Sequence, residues 1–349
     1  MLTQRKRKII FLFSLAAFFL LLTPVFFYSL GYRFDANWKL QKSGGIFIKT
    51  GESGAMVTAR PEKFYLASPF TKSKTTSLLT KSAFIKNVFP GAYTVKVEKN
   101  GFWTWQKKLS VQAETVSARE VLLVSTTPEG AVVATNTPLE KSLEALKNTP
   151  WHQRIANIPY QKKGNILKPD QNHKPKILFS SVKKFWVLPN EDFLIWGDDR
   201  NFYLNDKKTP EFSNDVHAIL VNSKNSFFDS AKQRLIFWDT HSINAYWLDD
   251  IRKAPLWYTT NPLLHIYSST EPTSIKKVLE YPGHPNYFLV AMQNGIFAME
   301  EEAAGGSATS ADKPNTFPLY KGKSPELLAA DARSLLLWDD NNFIELKLP

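Results

Sequence analysis

The chain opens on one long apolar run and then changes period. Ile9 to Leu30 is 22 residues without a charge. At about 1.5 Å per residue, a helix of that length reaches roughly 33 Å, enough to cross a hydrocarbon core of about 30 Å. Pro24 lies late in the run, where a kink is tolerated. Past residue 43 the apolar positions recur every second residue, the period of a half-buried strand. Tyr93, Val95 and Val97 alternate with Thr94, Lys96 and Glu98, which predicts the first three inward. Pro90-Gly91 marks a turn before this strand, and Asn100-Gly101 after it is a strong hairpin signal. Gly44 to Lys49, Trp103 to Val111 and Val116 to Val124 read as further strands that complete an antiparallel set.

Four later segments share one layout. Phe193–Trp196, Leu235–Trp238, Tyr287–Val290 and Leu335–Trp338 are short apolar runs, each preceded by a turn. Each is followed by a polar turn and a second strand, beginning at Asn201, Ala245, Gly295 and Asn342. Aligned on residues 196, 238, 290 and 338, the spacings are 42, 52 and 48. Periods of about 40–50 with several strands per unit predict β-propeller blades. Runs apolar throughout, such as Leu335–Trp338, suit strands buried on both faces. The expected fold class is all-β: one N-terminal transmembrane helix (9–30), a small β module (43–125), and a propeller-like repeat domain of about four blades (175–349). Residues 126–174, rich in Pro and Lys, read as a linker or a degenerate blade. The terminal strand Phe343 to Leu348 is expected to seal the ring against the first unit. The blades resemble Tol-type or WD-like propellers in architecture alone, since no Gly-His…Trp-Asp signature is complete.

Charge gives the first run a direction. The 349 residues carry a net charge of +12, of which residues 1–8 hold +4 and residues 33–125 hold +9. Arg5-Lys6-Arg7-Lys8 abuts the apolar run, so the positive-inside rule puts a stub of residues 1–8 in the cytoplasm and the bulk outside. Tyr28 and Tyr32 suit the far interface. The competing reading is a cleaved signal peptide, but the run exceeds a usual h-region and ends in bulky residues, a poor cleavage site. A retained signal anchor is favoured, spanning the cell membrane once. Cysteine is absent. That excludes disulfides, thiol nucleophiles, iron–sulfur ligation and Cys-bound zinc.

Residues 43–125 resemble a PEGA domain, a small β-sandwich of the bacterial and archaeal envelope. Gly54-Ala55-Met56-Val57 matches the family's second element. Pro90, Gly91, Tyr93, Val95, Val97, Gly101 and Phe102 match its late signature, and Trp105 with Lys107 to Val111 also fits. The Pro expected before Gly-Ala is replaced by Thr50-Gly51-Glu52-Ser53, and Ser68 to Ser82 is an insertion. Pro128-Glu129-Gly130-Ala131 follows the module and reads as a truncated copy or a coincidence. The resemblance implies an architecture and an envelope location, with no catalytic residue set.

The remaining chemistry is sparse. His152, His173, His217, His241, His265 and His284 are scattered without metal-ligand spacing, so no metal site and no cofactor are expected. Asp198-Asp199, Asp249-Asp250 and Asp339-Asp340 recur at matching repeat positions, where turns favour Asp. Glu300-Glu301-Glu302 through Pro314 reads as a flexible interblade loop. Tyr93, Phe102, Trp103 and Trp105 are expected as core rather than as a sugar-stacking platform. Lys72, Lys74, Lys81, Lys86, Lys96, Lys99, Lys107 and Lys108 form a basic surface, facing anionic headgroups or wall polymers or simply solvated. No catalytic residue is assigned and no binding residue is singled out. The function expected is that of a non-enzymatic, membrane-anchored envelope protein that binds or scaffolds an envelope protein or a cell-wall glycan. The alternative is a propeller-based glycan-active enzyme, which needs two or more carboxylates converging within about 10 Å. Nucleic acid is excluded by compartment.

Overall fold

The structure is a computed structural model that describes residues 4–34, 39–62, 71–133, 160–168, 176–187, 193–199, 201–204, 207–208, 223, 225–229, 232, 234–247, 263–269, 274–303, 314–330 and 333–348. It is mostly β, with one apolar helix at the N-terminus. The chain divides into two compact units, with the boundary between Ser125 and Thr126.

In the first unit, the apolar run forms helix α1 (Gln4–Ser29). Its span Lys8–Ser29 has a mean hydropathy of 2.6, and none of it is buried by the rest of the protein. By length and composition it can cross a membrane, a property that signal sequences share. Gly31, at φ 85°, ends the helix in the left-handed conformation that glycine adopts without strain. The hairpin β1 (Tyr32–Phe34) and β2 (Leu40–Lys42) follows. Next come β3 (Gly44–Thr50), β4 (Met56–Pro61), β5 (Lys72–Thr75), β6 (Ser82–Val88), β7 (Gly91–Glu98), β8 (Trp105–Val111) and β9 (Val116–Val121). They form a three-stranded sheet, β6-β3-β9, and a four-stranded sheet, β5-β4-β7-β8.

Both sheets bury one face. Tyr93, Val95 and Val97 point inward as the alternation predicts, with Val95 and Val97 fully buried. Ile46 and Ile48 on β3 and Trp105 on β8 are likewise fully buried. The set is not wholly antiparallel, because β9 pairs with β3 in parallel. The reason lies in residues 112–115, which carry the chain from one sheet to the other. The Thr115 carbonyl accepts the Gly45 N–H (2.9 Å) and the Ser43 carbonyl accepts the Glu114 N–H (3.1 Å). β3 and β9 therefore start side by side and run the same way. A side chain at Gly44 would collide with the Gln112 and Thr115 carbonyls, so only glycine permits this approach.

The second unit holds β10 (Gly130–Val132), β11 (Tyr160–Lys162), β12 (Asn165–Lys168), β13 (Lys176–Phe179), β14 (Val182–Val187), β15 (Phe193–Gly197), β16 (Phe202–Leu204), β17 (Lys207–Lys208) and β18 (Asn225–Asp229). It continues with β19 (Arg234–Trp238), β20 (Ser242–Trp247), β21 (Leu263–Ser268), β22 (Ile275–Glu280), β23 (Tyr287–Met292) and β24 (Gly295–Ala303). The last four strands are β25 (Pro314–Lys321), β26 (Glu326–Ala330), β27 (Ser334–Asp339) and β28 (Asn342–Lys347).

Among the described residues these make five sheets: β11-β12-β13, β14-β15-β16-β17, β18-β19-β20-β21, β22-β23-β24-β25 and β26-β27-β28-β10. Every pairing within them is antiparallel. The four aligned apolar runs occupy β15, β19, β23 and β27, each the second strand of its sheet. The stretch 126–174 contributes β10, β11 and β12. Gly130-Ala131 of the tetrapeptide thus sits in this unit, where β10 pairs with β28 over Gly130↔Leu346 to Val132↔Ile344. That pairing joins the first strand of the unit to its last.

Strands β19 and β23 are buried along their full length, on both faces. Strand β27 differs: its burial alternates, so Leu335 and Leu337 are buried while Ser334, Leu336 and Trp338 are half-exposed. An apolar layer joins two successive sheets, with Trp238, Ile243 and Trp247 of one against Val278, Phe288 and Val290 of the next. A smaller cluster of Ile166, Val182 and Ile195 joins β12 to β14 and β15. First strands of neighbouring sheets touch, β14 against β18 and β22 against β26.

Candidate functional site

The recurring aspartates build turns. After β15, Asp199 accepts the Asn201 N–H (3.1 Å), the Asn201 side-chain amide (2.7 Å) and the Tyr203 hydroxyl. That last bond raises the Tyr203 pKa. After β19, Asp239 accepts the N–H groups of His241 (2.6 Å) and Ser242 (2.7 Å). Partial desolvation opposes its charge, but these donors hold the carboxyl below its usual range. After β27, Asp339 accepts the Tyr320 hydroxyl (3.0 Å) and the N–H groups of Lys323 (3.2 Å) and Ser324 (3.1 Å). Desolvation, with Asp339 beside it, pushes Tyr320 up to about 12. Asp340 lies at the surface beside Lys323. Asp239, and not the expected Asp249-Asp250, holds the matching position after β19, since Asp249 and Asp250 follow β20 in sequence and lie outside the described residues.

One of these turns walls a cleft of about 380 Å³. Phe179, from the end of β13, and Ile195 give it apolar walls. Ser180, Ser181, Gly197, Asp198, Asp199 and Tyr203 complete the lining. Ser181 adopts a left-handed φ of 57° and its carbonyl accepts the Asp198 N–H (2.9 Å), which ties the β13–β14 connection to the β15–β16 turn.

A second constellation lies where Glu300 and Glu301 were expected in a flexible loop. Strand β24 runs on to Ala303, and both residues are buried. Arg234 is fully buried at the start of β19, directly opposite Asp229 on β18. Its guanidinium donates to Asp229 (2.6 Å) and to Glu301, and it lies 5.4 Å from the centre of the Phe288 ring. Lys232 reaches Glu301 (2.8 Å) and the Asn286 side chain (2.9 Å). Asn315 donates to Glu300 (2.7 Å). A run of three glutamates looks like a solvated surface in sequence. Here two of them enter the interior, Glu301 with Arg234 and Lys232 of the preceding sheet as partners and Glu300 with Asn315. Desolvation pushes Lys232 below its usual pKa, against the pull of Glu301. Glu280 is exposed as a residue, yet partial desolvation and a hydrogen bond with Asp229 push its carboxyl up to about 7.

The candidates in the first unit divide. Tyr93 and Trp105 are core, Phe102 is half-buried, and Trp103 is 37% exposed. Lys107 leaves the expected basic surface, being buried at 1% exposure, because its alternating position on β8 faces inward. Much of the remaining charge is paired, as in Lys99–Glu52 (2.7 Å), Lys96–Glu98 (2.7 Å) and Lys108–Glu62 (3.3 Å). Leu78 and Leu79 are 79% and 91% exposed on the turn before β6.

His241 and His265 are exposed, and His284 packs edge-on against Tyr281 and Tyr287. His152, His173 and His217 lie outside the described residues. Among the described residues no three His, Asp or Glu side chains gather as a metal site. Compared with known proteins, the chain matches no family model and no curated sequence.

Proposed function

We propose that the protein is a single-span membrane protein whose two β units lie on the extracytoplasmic side and serve as a non-enzymatic binding scaffold for an envelope protein or a cell-wall glycan. The observation that carries the reading is the 22-residue span Lys8–Ser29, wholly unburied and joined to two units built of strands. The Arg5–Lys8 cluster before it favours an N-terminus in the cytoplasm. The first unit is read as a PEGA-like sandwich, supported by the inward Tyr93, Val95 and Val97 and by two sheets that each bury one face. The second is read as a propeller of five blades. Its support is five sheets in sequence order, touching first strands, and β10 of the first segment completing the last sheet.

One observation favours the enzyme alternative. The carboxyls of Asp229 and Glu280 meet, and one of them titrates near neutrality, as an acid–base pair would. Asp229, however, is 2% exposed and bound to Arg234. A glycosidic oxygen has no access to it, so the pair reads as part of an internal ion network.

Because the chain has no cysteine, single-cysteine variants report topology directly. Leu79→Cys should react with a membrane-impermeant maleimide on intact spheroplasts, and Thr3→Cys only after permeabilisation, with both residues recovered on one membrane-bound chain. The opposite labelling pattern overturns the orientation, and loss of residue 3 from the mature chain overturns the anchor. Release of sugar from peptidoglycan by the purified protein, abolished in Glu280→Gln, would favour the enzyme.

A further inference from the structure

We propose that the cleft between β13 and the β15–β16 turn binds an uncharged hexose unit of a glycan. This rests on the envelope-binding reading and gives it a site. At about 380 Å³ the cleft falls within the range of small-molecule sites. Its apolar side is Phe179, Ile195 and the ring of Tyr203, and Phe179 and Tyr203 are half-buried. An aromatic face matches the C–H face of a pyranose, which is apolar although the ring's rim is polar. The rim of the cleft supplies the complementary hydroxyl partners: Ser180, Ser181 and the carboxylates of Asp198 and Asp199, all exposed.

Charge narrows the class. Among the described residues the lining has two carboxylates and neither Lys nor Arg, which disfavours phosphate, uronate and other anions. It is also a poor ammonium site. Asp199 is already occupied by three donors, the Asn201 N–H, the Asn201 amide and the Tyr203 hydroxyl. That leaves Asp198, whose carboxylate pairs with no side chain among the described residues. A single exposed carboxylate holds an ammonium weakly in water, but it accepts hydroxyl bonds well. The Asp198 N–H to Ser181 carbonyl bond and the Asn201 N–H to Asp199 bond hold Ser181, Asp198 and Asp199 in place before any ligand arrives.

The test uses the full chain in nanodiscs, titrated calorimetrically with chitohexaose, cellohexaose and mannohexaose, and with hexalysine as the cationic comparison. At least one oligosaccharide should bind and hexalysine should not. Tyr203→Ala should weaken binding by about tenfold and Asp198→Asn by about threefold. Tyr203→Phe, which keeps the ring and guards against misfolding, should stay within about twofold. Trp103→Ala in the first unit should change nothing. Oligosaccharide binding that ignores both Tyr203→Ala and Asp198→Asn overturns the site and leaves the glycan-binding function standing. Binding of hexalysine alone overturns the ligand class. No binding by any probe overturns both the site and the glycan branch of the function, without touching the membrane anchor.

Discussion

Arg234 is the side chain on which the buried network of the second unit turns. It is fully buried, as is Glu301 at 1% exposure, and Asp229 is 2% exposed. Arg234→Met keeps the volume and removes the only cation that bonds both Asp229 and Glu301 among the described residues. Lys232 remains, but it reaches Glu301 alone by a salt bridge. Two carboxylates would then share a site from which water is excluded. Breaking a buried pair by deleting one partner costs about 3–5 kcal/mol, a large part of the about 5–15 kcal/mol that holds an ordinary domain together. Urea is the denaturant of choice, because guanidinium screens charges. With a urea slope near about 2.5 kcal/mol/M, a loss of 4 kcal/mol lowers the midpoint by about 1.5 M. Trp238 and Trp247, packed in the adjoining apolar layer, report the transition by fluorescence. The double variant Arg234→Met/Glu301→Met removes opposite charges together, so its loss should fall short of the sum of the singles by about 2 kcal/mol. Added salt should alter the difference little, since buried pairs are poorly screened. A midpoint shift under about 0.3 M for Arg234→Met, or strict additivity in the cycle, refutes the view that this network supports the unit.

Other expectations concern the remaining parts of the fold. Val95→Asp puts a charge where exposure is nil and should cost several kcal/mol, at least about 3. Thr94→Asp, facing Lys108 across the sheet, should stay within about 0.5 kcal/mol; equal melting of the two variants would refute the register. Deleting residues 341–349 removes β28 from between β27 and β10 and should abolish the cooperative unfolding of the second unit, whereas an unchanged transition would show that this pairing carries no stability. The native Glu280 carboxyl sits near 7 and its unfolded value is about 4.3, so the native state binds more protons between these limits. Its contribution is therefore present below about pH 4.3 and lost as pH rises through 7, and Glu280→Gln should flatten the fall in urea midpoint between pH 5 and 8.

The sequence by itself determined what depends on neighbours along the chain. A helix that can cross a membrane follows from Ile9 to Leu30, because length and lack of charge are local properties. The inward set Tyr93, Val95 and Val97 follows from the two-residue period of a strand. The second strand of four sheets was legible as a repeated apolar run, since β19 and β23 are buried on both faces and β19 is apolar throughout after Arg234 at its start. The turn role of Asp199 was legible too, because a short carboxylate bonds N–H groups close by in sequence, whereas Asp339 bonds the distant Lys323 and Ser324 N–H groups of the β25–β26 connection.

What only the tertiary structure decided depends on partners far away. The parallel pairing of β9 with β3 comes from a sheet-to-sheet crossing at residues 112–115, which leaves no periodic mark. Strand β10 finds its partner β28 more than two hundred residues on, Gly130 against Leu346, and its three residues are exposed, with no buried alternation to signal that pairing. Glu301 and Lys107 read as solvated charges, yet both are buried. For Glu301 the reason is visible: a cation from another sheet lies within bonding distance, and the free energy of burying a charge depends on such a partner. The cleft at Asp198 and Tyr203 likewise exists only because the connection after β13 folds against the turn after β15. Faces are written in local period, whereas the meeting of two faces is settled by long-range packing.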